Sequence, residues 1–247
     1  NLGKSQEAES SILKSIQLNP HFANSHNSLG IVLKELGKLK EAEQSIRTAI
    51  ELKPDFFEAH LNLGGVLKDL GNLQEAELST RKAIELKPNF AEAYLNLGNI
   101  LSDLGQSKEA KVYTHKAIEL KPHFSEAAWN LYGLSKTLKE AEEMIKLCLK
   151  IDPNHLNARL TLAALKFHKG DKSQLNKLIN SEHKDHPYMR SLKWVSNLPK
   201  QPELFFQRWA FFDSMVKKSK KDRPFYEFGV WRGSSFRYLM NTFKKGY

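Results

Sequence analysis

Asparagine recurs at a fixed spacing in the first part of the chain. Asn62, Asn96 and Asn130 are each 34 residues apart, and Ser28 occupies the equivalent place one step earlier. A primary amide has both donors and acceptors, so a row of amides can pair with the backbone of an extended peptide in either direction. This spacing makes the three asparagines candidate peptide-binding residues.

A second group of candidate residues lies near the C-terminal end. A short aromatic stretch around Glu227 has the length and composition of a buried strand, and Gly229 and Gly233 follow at once. Ser234 or Ser235 can cap the helix predicted after them. A strand, a glycine turn and a helix N-terminus together present backbone N–H groups to a ligand, which indicates a cofactor-binding loop.

The asparagine spacing is part of a longer repeat. The hexapeptide Ala-Ile-Glu-Leu-Lys-Pro occurs at 49–54, 83–88 and 117–122, again 34 residues apart. Dipeptides recur with the same step, namely Leu29-Gly30, Leu63-Gly64, Leu97-Gly98, Glu41-Ala42, Glu75-Ala76 and Glu109-Ala110. The pattern resembles the tetratricopeptide repeat (TPR), a 34-residue helix–turn–helix unit. The resemblance covers residues 1–153.

Each repeat is predicted to form two amphipathic helices. Apolar residues follow helical spacing from Ala23 to Leu36. Gly37 can end this helix by adopting the left-handed backbone conformation, and a second helix is predicted over 39–52. Pro54 cannot continue that helix. Because each hairpin leaves an apolar face that only a neighbour can cover, the repeats are expected to stack into an all-α solenoid with a concave inner surface.

Repeat register and composition divide the chain into successive segments. These are a TPR array over 1–153 with a partial repeat in 1–22, full repeats at 23–56, 57–90 and 91–124, a shortened repeat at 125–153, a degenerate capping repeat at 154–182, a linker at 183–201, and the beginning of another domain at 202–247. Charge supports the division. The net charge is −1 over 1–150 and +11 over 151–247, for +10 in total.

Several chemistries are not expected. The single cysteine cannot form an internal disulfide or a zinc cluster. Cys148 falls at the register of Ala49, Ala83 and Ala117, so we predict a small buried packing residue. The histidines form no ligand set, and no metal site is predicted. No apolar run approaches the ~18 residues of a membrane span, and a cytoplasmic location is predicted. The basic run 217–223 is interpreted as a solvated loop rather than a nucleic-acid site.

The string Phe-Tyr-Glu-Phe-Gly-Val-Trp-Arg-Gly-Ser-Ser-Phe resembles the first motif of S-adenosylmethionine-dependent methyltransferases of the macrocin O-methyltransferase type. The resemblance implies a Rossmann-like α/β domain. Gly229 and Gly233, with Ser234 at the helix start, would approach the methionine part of S-adenosylmethionine, and Glu227 would order the turn or contact the cofactor amine. Trp231 departs from the broader class.

The chain ends about where such folds place the acidic residue that binds the ribose, ~20 residues past the glycine turn. We therefore expect a domain cut after its first strand and helix, with no catalysis by this segment alone. The predicted function is protein or peptide binding by the N-terminal arm of a methyltransferase.

Two alternatives remain open. One is a non-enzymatic TPR scaffold. The other is the TPR arm of an O-GlcNAc-type glycosyltransferase, because the asparagine ladder is similar to the one that lines the concave face in those enzymes and holds an extended peptide by its backbone. The sequence names neither the protein partner nor a methyl acceptor.

Overall fold

The computed structural model describes residues 2–179 and 181. Within these residues every regular element is a helix, as the 34-residue pattern predicts. The helices are α1 (Leu2–Leu18), α2 (Ala23–Glu35), α3 (Leu39–Leu52), α4 (Phe57–Leu70), α5 (Leu73–Leu86), α6 (Ala91–Asp103), α7 (Ser107–Leu120), α8 (Ser125–Gly133), α9 (Leu138–Ile151), α10 (Leu156–His168) and α11 (Ser173–Ile179).

The chain divides into two compact units, Asn1–Leu131 and Tyr132–Tyr247. The first unit holds α1 to α7 and most of α8. The helices α2–α3, α4–α5 and α6–α7 are three successive antiparallel pairs, and α1 packs against α2 as the second helix of a partial repeat. The described part of the second unit holds α9, α10 and α11.

The first helix of each pair ends as predicted. Gly37, Gly71 and Gly105 have φ values of 77°, 86° and 81°, the left-handed conformation that glycine adopts without a steric penalty. After α4, the Gly71 N–H donates to the carbonyl of Lys68, and the next N–H donates to the carbonyl of Leu67. The turn thereby satisfies carbonyls that the helix end leaves unpaired.

The second helix of each pair ends at the Lys-Pro dipeptide. The lysine leaves the helical conformation and the proline then prevents its continuation. In each repeat the ammonium group lies over the aromatic ring three residues later, a cation–π contact that closes the turn. The distances from ammonium nitrogen to ring centroid are 5.0 Å for Lys53–Phe56, 5.1 Å for Lys87–Phe90 and 4.5 Å for Lys121–Phe124.

The two helices of a repeat approach so closely that only glycine fits at the contact. A Cβ atom on Gly64 would lie 2.2 Å from the hydroxyl oxygen of Thr80, and one on Gly98 would lie 2.4 Å from that of Thr114. Each threonine is fully buried and donates its hydroxyl to a backbone carbonyl four residues earlier. In the first full repeat, Gly30 meets Ile46 in the same way.

The same register carries Tyr132 in the shortened repeat. A tyrosine cannot occupy the space that the three glycines leave for the facing helix. The corresponding first helix, α8, has only nine residues and ends at Gly133. The division into two units also falls at this point in the chain. Loss of the contact glycine therefore coincides with the end of regular repeat geometry.

Small residues complete the core of each repeat. The second helix of each full repeat has alanine at two equivalent positions, and these side chains are fully buried. They are Ala42, Ala49, Ala76, Ala83, Ala110 and Ala117. Cys148 in α9 is also fully buried, which confirms the packing role predicted from its alanine register. These short side chains let neighbouring helices pack at close range.

An ion-pair cluster links two elements of the second unit. Glu142 in α9 accepts a bond of 2.8 Å from Lys146 and another from Lys169, which caps the end of α10. Both ammonium groups favour the ionised carboxylate and lower the pKa of Glu142 to about 2. The carboxylate thus remains charged across the whole physiological range.

Replacing the contact glycine is expected to destabilise the first unit. Gly64→Ala should lower the free energy of unfolding by about 1–3 kcal/mol, because the new methyl group overlaps the Thr80 side chain. The matched control is Gly65→Ala in the same helix, where the nearest atom is the flexible end of Lys34 at 3.1 Å. Urea unfolding followed by circular dichroism measures both. Equal losses in the two variants would contradict the close-contact account.

The Glu142 cluster predicts a pH-dependent contribution to the second unit. Its folded-state pKa of about 2 lies below the ordinary value of 4.5, so the stabilisation is present above pH 4.5 and is lost as the pH falls toward 2. Glu142→Gln should therefore lower stability by up to about 1 kcal/mol at pH 7, and the difference should shrink toward zero as the pH falls through 2. Thermal unfolding of both proteins across this range measures it. A pH-independent difference would refute the assignment.

Candidate functional site

The first helices of successive repeats form one side of the first unit, because α2 contacts α4 and α4 contacts α6. On α4 and α6, residues spaced i, i+4, i+7 and i+11 fall on one stripe of the helix. We use the term first-helix face for these two stripes together with Asn27 and Asn130. The stripes are Glu58, Asn62, Gly65 and Asp69 on α4, and Glu92, Asn96, Asn99 and Asp103 on α6.

All three predicted peptide-binding asparagines are on first helices and are partly exposed. Asn62 is on α4, Asn96 on α6 and Asn130 on α8. The structure thus brings the 34-residue spacing onto equivalent positions of consecutive repeats.

Two of these asparagines hydrogen-bond to the preceding first helix. The Asn62 amide donates to the side-chain oxygen of Asn27 over 3.0 Å, and the Asn130 amide donates to that of Asn99 over 2.7 Å. The partners Asn27 and Asn99 were not among the predicted residues. Each bond uses one amide hydrogen and fixes the orientation of the donating side chain.

Asn96 differs from the other two. Among the described residues its side chain makes no hydrogen bond. The repeat register explains this difference. The structure shows that the partner of Asn62 lies 35 residues before it, and that the partner of Asn130 lies 31 residues before it. At these two distances before Asn96 the sequence has Leu61 and Gly65, neither of which has a side chain that can hydrogen-bond. Asn96 therefore keeps both donors and its acceptor for a ligand.

Carboxylates lie at both ends of the first-helix face. In the first turns, Glu92 accepts a bond of 2.7 Å from Lys121, which lowers the pKa of Glu92. In the last turn of α4, Asp69 pairs with Lys34 of α2 at 3.3 Å. The aspartate at the end of α6, Asp103, has no hydrogen bond or ion pair within residues 2–179. The amides thus occupy the middle of the face and acids its margins.

The predicted cofactor-binding residues lie outside the described residues. These are Glu227, Gly229, Gly233 and Ser234. Within the part of the chain that the structure describes, no group of three metal-ligating side chains comes together. None of the described helices combines the length and the apolar character that crossing a bilayer requires.

Family comparison settles the nature of the repeats. Tetratricopeptide repeat models match residues 11–44 and 91–124, and a further TPR repeat model matches 32–71 and 64–105. Residues 11–124 are tetratricopeptide repeats. The predicted family of the array is therefore confirmed for this segment. Comparison with curated protein sequences gave no significant match.

Solved TPR structures share the fold. YrrB, described as a TPR protein with an unusual peptide-binding site, has 23% identity and a TM-score of 0.54, covering 76% of this chain and all of YrrB. The type IV pilus biogenesis factor PilW has 19% identity and a TM-score of 0.70, covering 76% of this chain and 90% of PilW.

A third TPR neighbour bears on the glycosyltransferase alternative. An O-GlcNAc transferase mutant of Thermobaculum terrenum has 24% identity and a TM-score of 0.50, covering 52% of this chain and 26% of the enzyme. At these identities the likeness shows a common helical-repeat fold. TPR proteins as a class bind peptide or protein partners.

Proposed function

We propose that the first-helix face binds the backbone of an extended peptide supplied by a protein partner. The observation that carries the proposal is the side-chain amide of Asn96, which is partly exposed and makes no hydrogen bond among the described residues. It lies at the same repeat position as two amides that are hydrogen-bonded to the preceding first helix. A free primary amide can donate to a peptide carbonyl and accept from a peptide N–H at the same time.

The two bonded asparagines support this role. After donating one hydrogen to its neighbour, Asn62 keeps a second N–H and its carbonyl oxygen, and the same holds for Asn130. The Asn27 and Asn99 contacts also restrict the rotamers of these side chains. Less side-chain entropy is then lost when a peptide binds, which favours affinity.

The likeness to YrrB gives independent support. YrrB is described as a TPR protein with an unusual peptide-binding site. This chain shares the repeat fold of that protein.

A second function is proposed for the C-terminal segment on sequence grounds. The string around Glu227, Gly229 and Gly233 resembles the cofactor loop of S-adenosylmethionine-dependent methyltransferases. We propose that the TPR array serves as the partner-binding arm of such an enzyme. The same asparagine row also suits the TPR arm of an O-GlcNAc-type glycosyltransferase, and the strand and glycine turn predicted from the sequence around Glu227 favour the methyltransferase over it.

Loss of the Asn96 amide is expected to weaken peptide binding. A library of random 12-residue peptides displayed on phage is selected against the full chain, and the affinity of the strongest peptide is measured by fluorescence anisotropy. Asn96→Ala should raise its Kd about 5- to 150-fold, because two hydrogen bonds of roughly 0.5–1.5 kcal/mol each are lost.

The matched control is Asn89→Ala, which removes the same amide from the exposed turn before α6. Its Kd should stay within about twofold of the wild-type value, and circular dichroism should show unchanged helicity in both variants. Failure to select any peptide, or equal affinity for the Asn96→Ala variant, would refute the proposed function.

The methyltransferase proposal predicts cofactor binding by the complete gene product. Equilibrium dialysis with radiolabelled S-adenosylmethionine should show binding, and Gly233→Val should abolish it, because a branched side chain blocks the close approach of the loop to the cofactor. Gly37→Val in the TPR array is the control, expected to lower stability but to leave cofactor binding unchanged. No binding by the wild-type protein would exclude this reading.

A further inference from the structure

An aspartate lies in the last turn of both α4 and α6, at the same repeat position. Asp69 and Asp103 are exposed and belong to the first-helix face. The C-terminal end of a helix carries partial negative charge, so an anion there is unfavourable and a cation is favoured. Helix stability therefore does not account for these two carboxylates.

The repulsion is least compensated at Asp103. The last turn of α6 contains no basic residue, and Asp103 has no ion pair or hydrogen bond within residues 2–179. Asp69 is partly compensated, since Lys34 lies 3.3 Å away, with the aspartate side chain still 24% exposed. An unpaired carboxylate at an electronegative helix end is a site that attracts a cationic group.

The acids at the opposite end of the face have a different explanation. Glu58 and Glu92 are in the first turns of their helices, where the positive end of the helix dipole stabilises a carboxylate. Glu92 is in addition paired with Lys121. These residues are accounted for by the fold, so the charge available to a partner is concentrated at Asp103.

The free amide and the free carboxylate lie on one stripe of α6. Asn96 and Asp103 are seven residues apart, about 10 Å along the helix axis, and Asn99 stands between them. Asn99 and Asp103 are four residues apart and therefore neighbours on the helix surface. A peptide whose backbone pairs with Asn96 can direct a long cationic side chain past Asn99 to the carboxylate.

From this arrangement we infer that the partner is a basic extended peptide, with a lysine or arginine side chain bound at Asp103 and its backbone bound at Asn96. The inference rests on the proposed function and deepens it by naming the chemical class of the partner. The overall charge of the protein argues in the opposite direction, since a net charge of +10 attracts acidic peptides non-specifically. Selection of basic peptides would therefore report the local site.

The peptide library used above tests the inference through composition. Selection of random 12-residue phage peptides on the full chain should raise the ratio of Lys plus Arg to Asp plus Glu at least about twofold over the unselected library. Peptides selected without a basic excess would overturn the inference and leave the proposed function standing. Failure to select any peptide would overturn both.

Charge removal gives the sharper test. Asp103→Asn keeps the shape of the side chain and should weaken binding of the strongest basic peptide about three- to fivefold, the upper part of the range of a solvent-exposed ion pair. Asp55→Asn removes the same charge from the exposed turn before α4 and should leave the Kd within about twofold. Unchanged affinity of the Asp103→Asn variant would overturn the inference.

A stability measurement separates a binding role from a structural one. Because the helix end repels the carboxylate, Asp103→Asn should leave the melting temperature unchanged or raise it while binding weakens. A lower melting temperature together with weaker binding would mean that Asp103 supports the fold, and would overturn its assignment as the cation-binding group.

Discussion

The fold of the first unit depends on a backbone contact that only glycine permits. At Gly30, Gly64 and Gly98 a Cβ atom would lie 2.2–2.4 Å from a side chain of the paired helix. This contact sets the distance between the two helices of each repeat, and buried alanines on the second helix maintain it. Where Tyr132 takes the glycine position, the first helix is short and the compact unit ends.

Identical repeat geometry has a functional consequence, because it carries one side-chain position into several equivalent places. Three asparagines separated by 34 residues thereby come to lie on consecutive first helices. Their neighbours then make them unequal. Asn62 and Asn130 each hydrogen-bond to a side-chain amide of the preceding first helix. For Asn96, the equivalent positions hold Leu61 and Gly65, which offer no such partner. A regular array thus contains one distinct position.

The first-helix face also shows a conflict between local stability and surface chemistry. Glu58 and Glu92 agree with the helix dipole, but Asp69 and Asp103 oppose it. Residues that contradict a local preference without a compensating contact in the fold are expected at sites that interact with a partner. Within the described residues, Lys34 compensates Asp69, and Asp103 is the member of the pair without such a contact.

Much of this protein follows from its sequence alone. The 34-residue period determines the helix pairs, and Gly37 and Pro54 mark where helices end. The position of Cys148 in the register of buried alanines implies its burial. These features are predictable because backbone geometry and side-chain volume act locally and repeat with the sequence. The cofactor loop at Glu227 and Gly229 stays a sequence-based proposal. Only the tertiary structure decided which amides are free, since the Asn27–Asn62 and Asn99–Asn130 bonds join residues of different repeats. Such contacts depend on how helices stack in space, which no local pattern specifies.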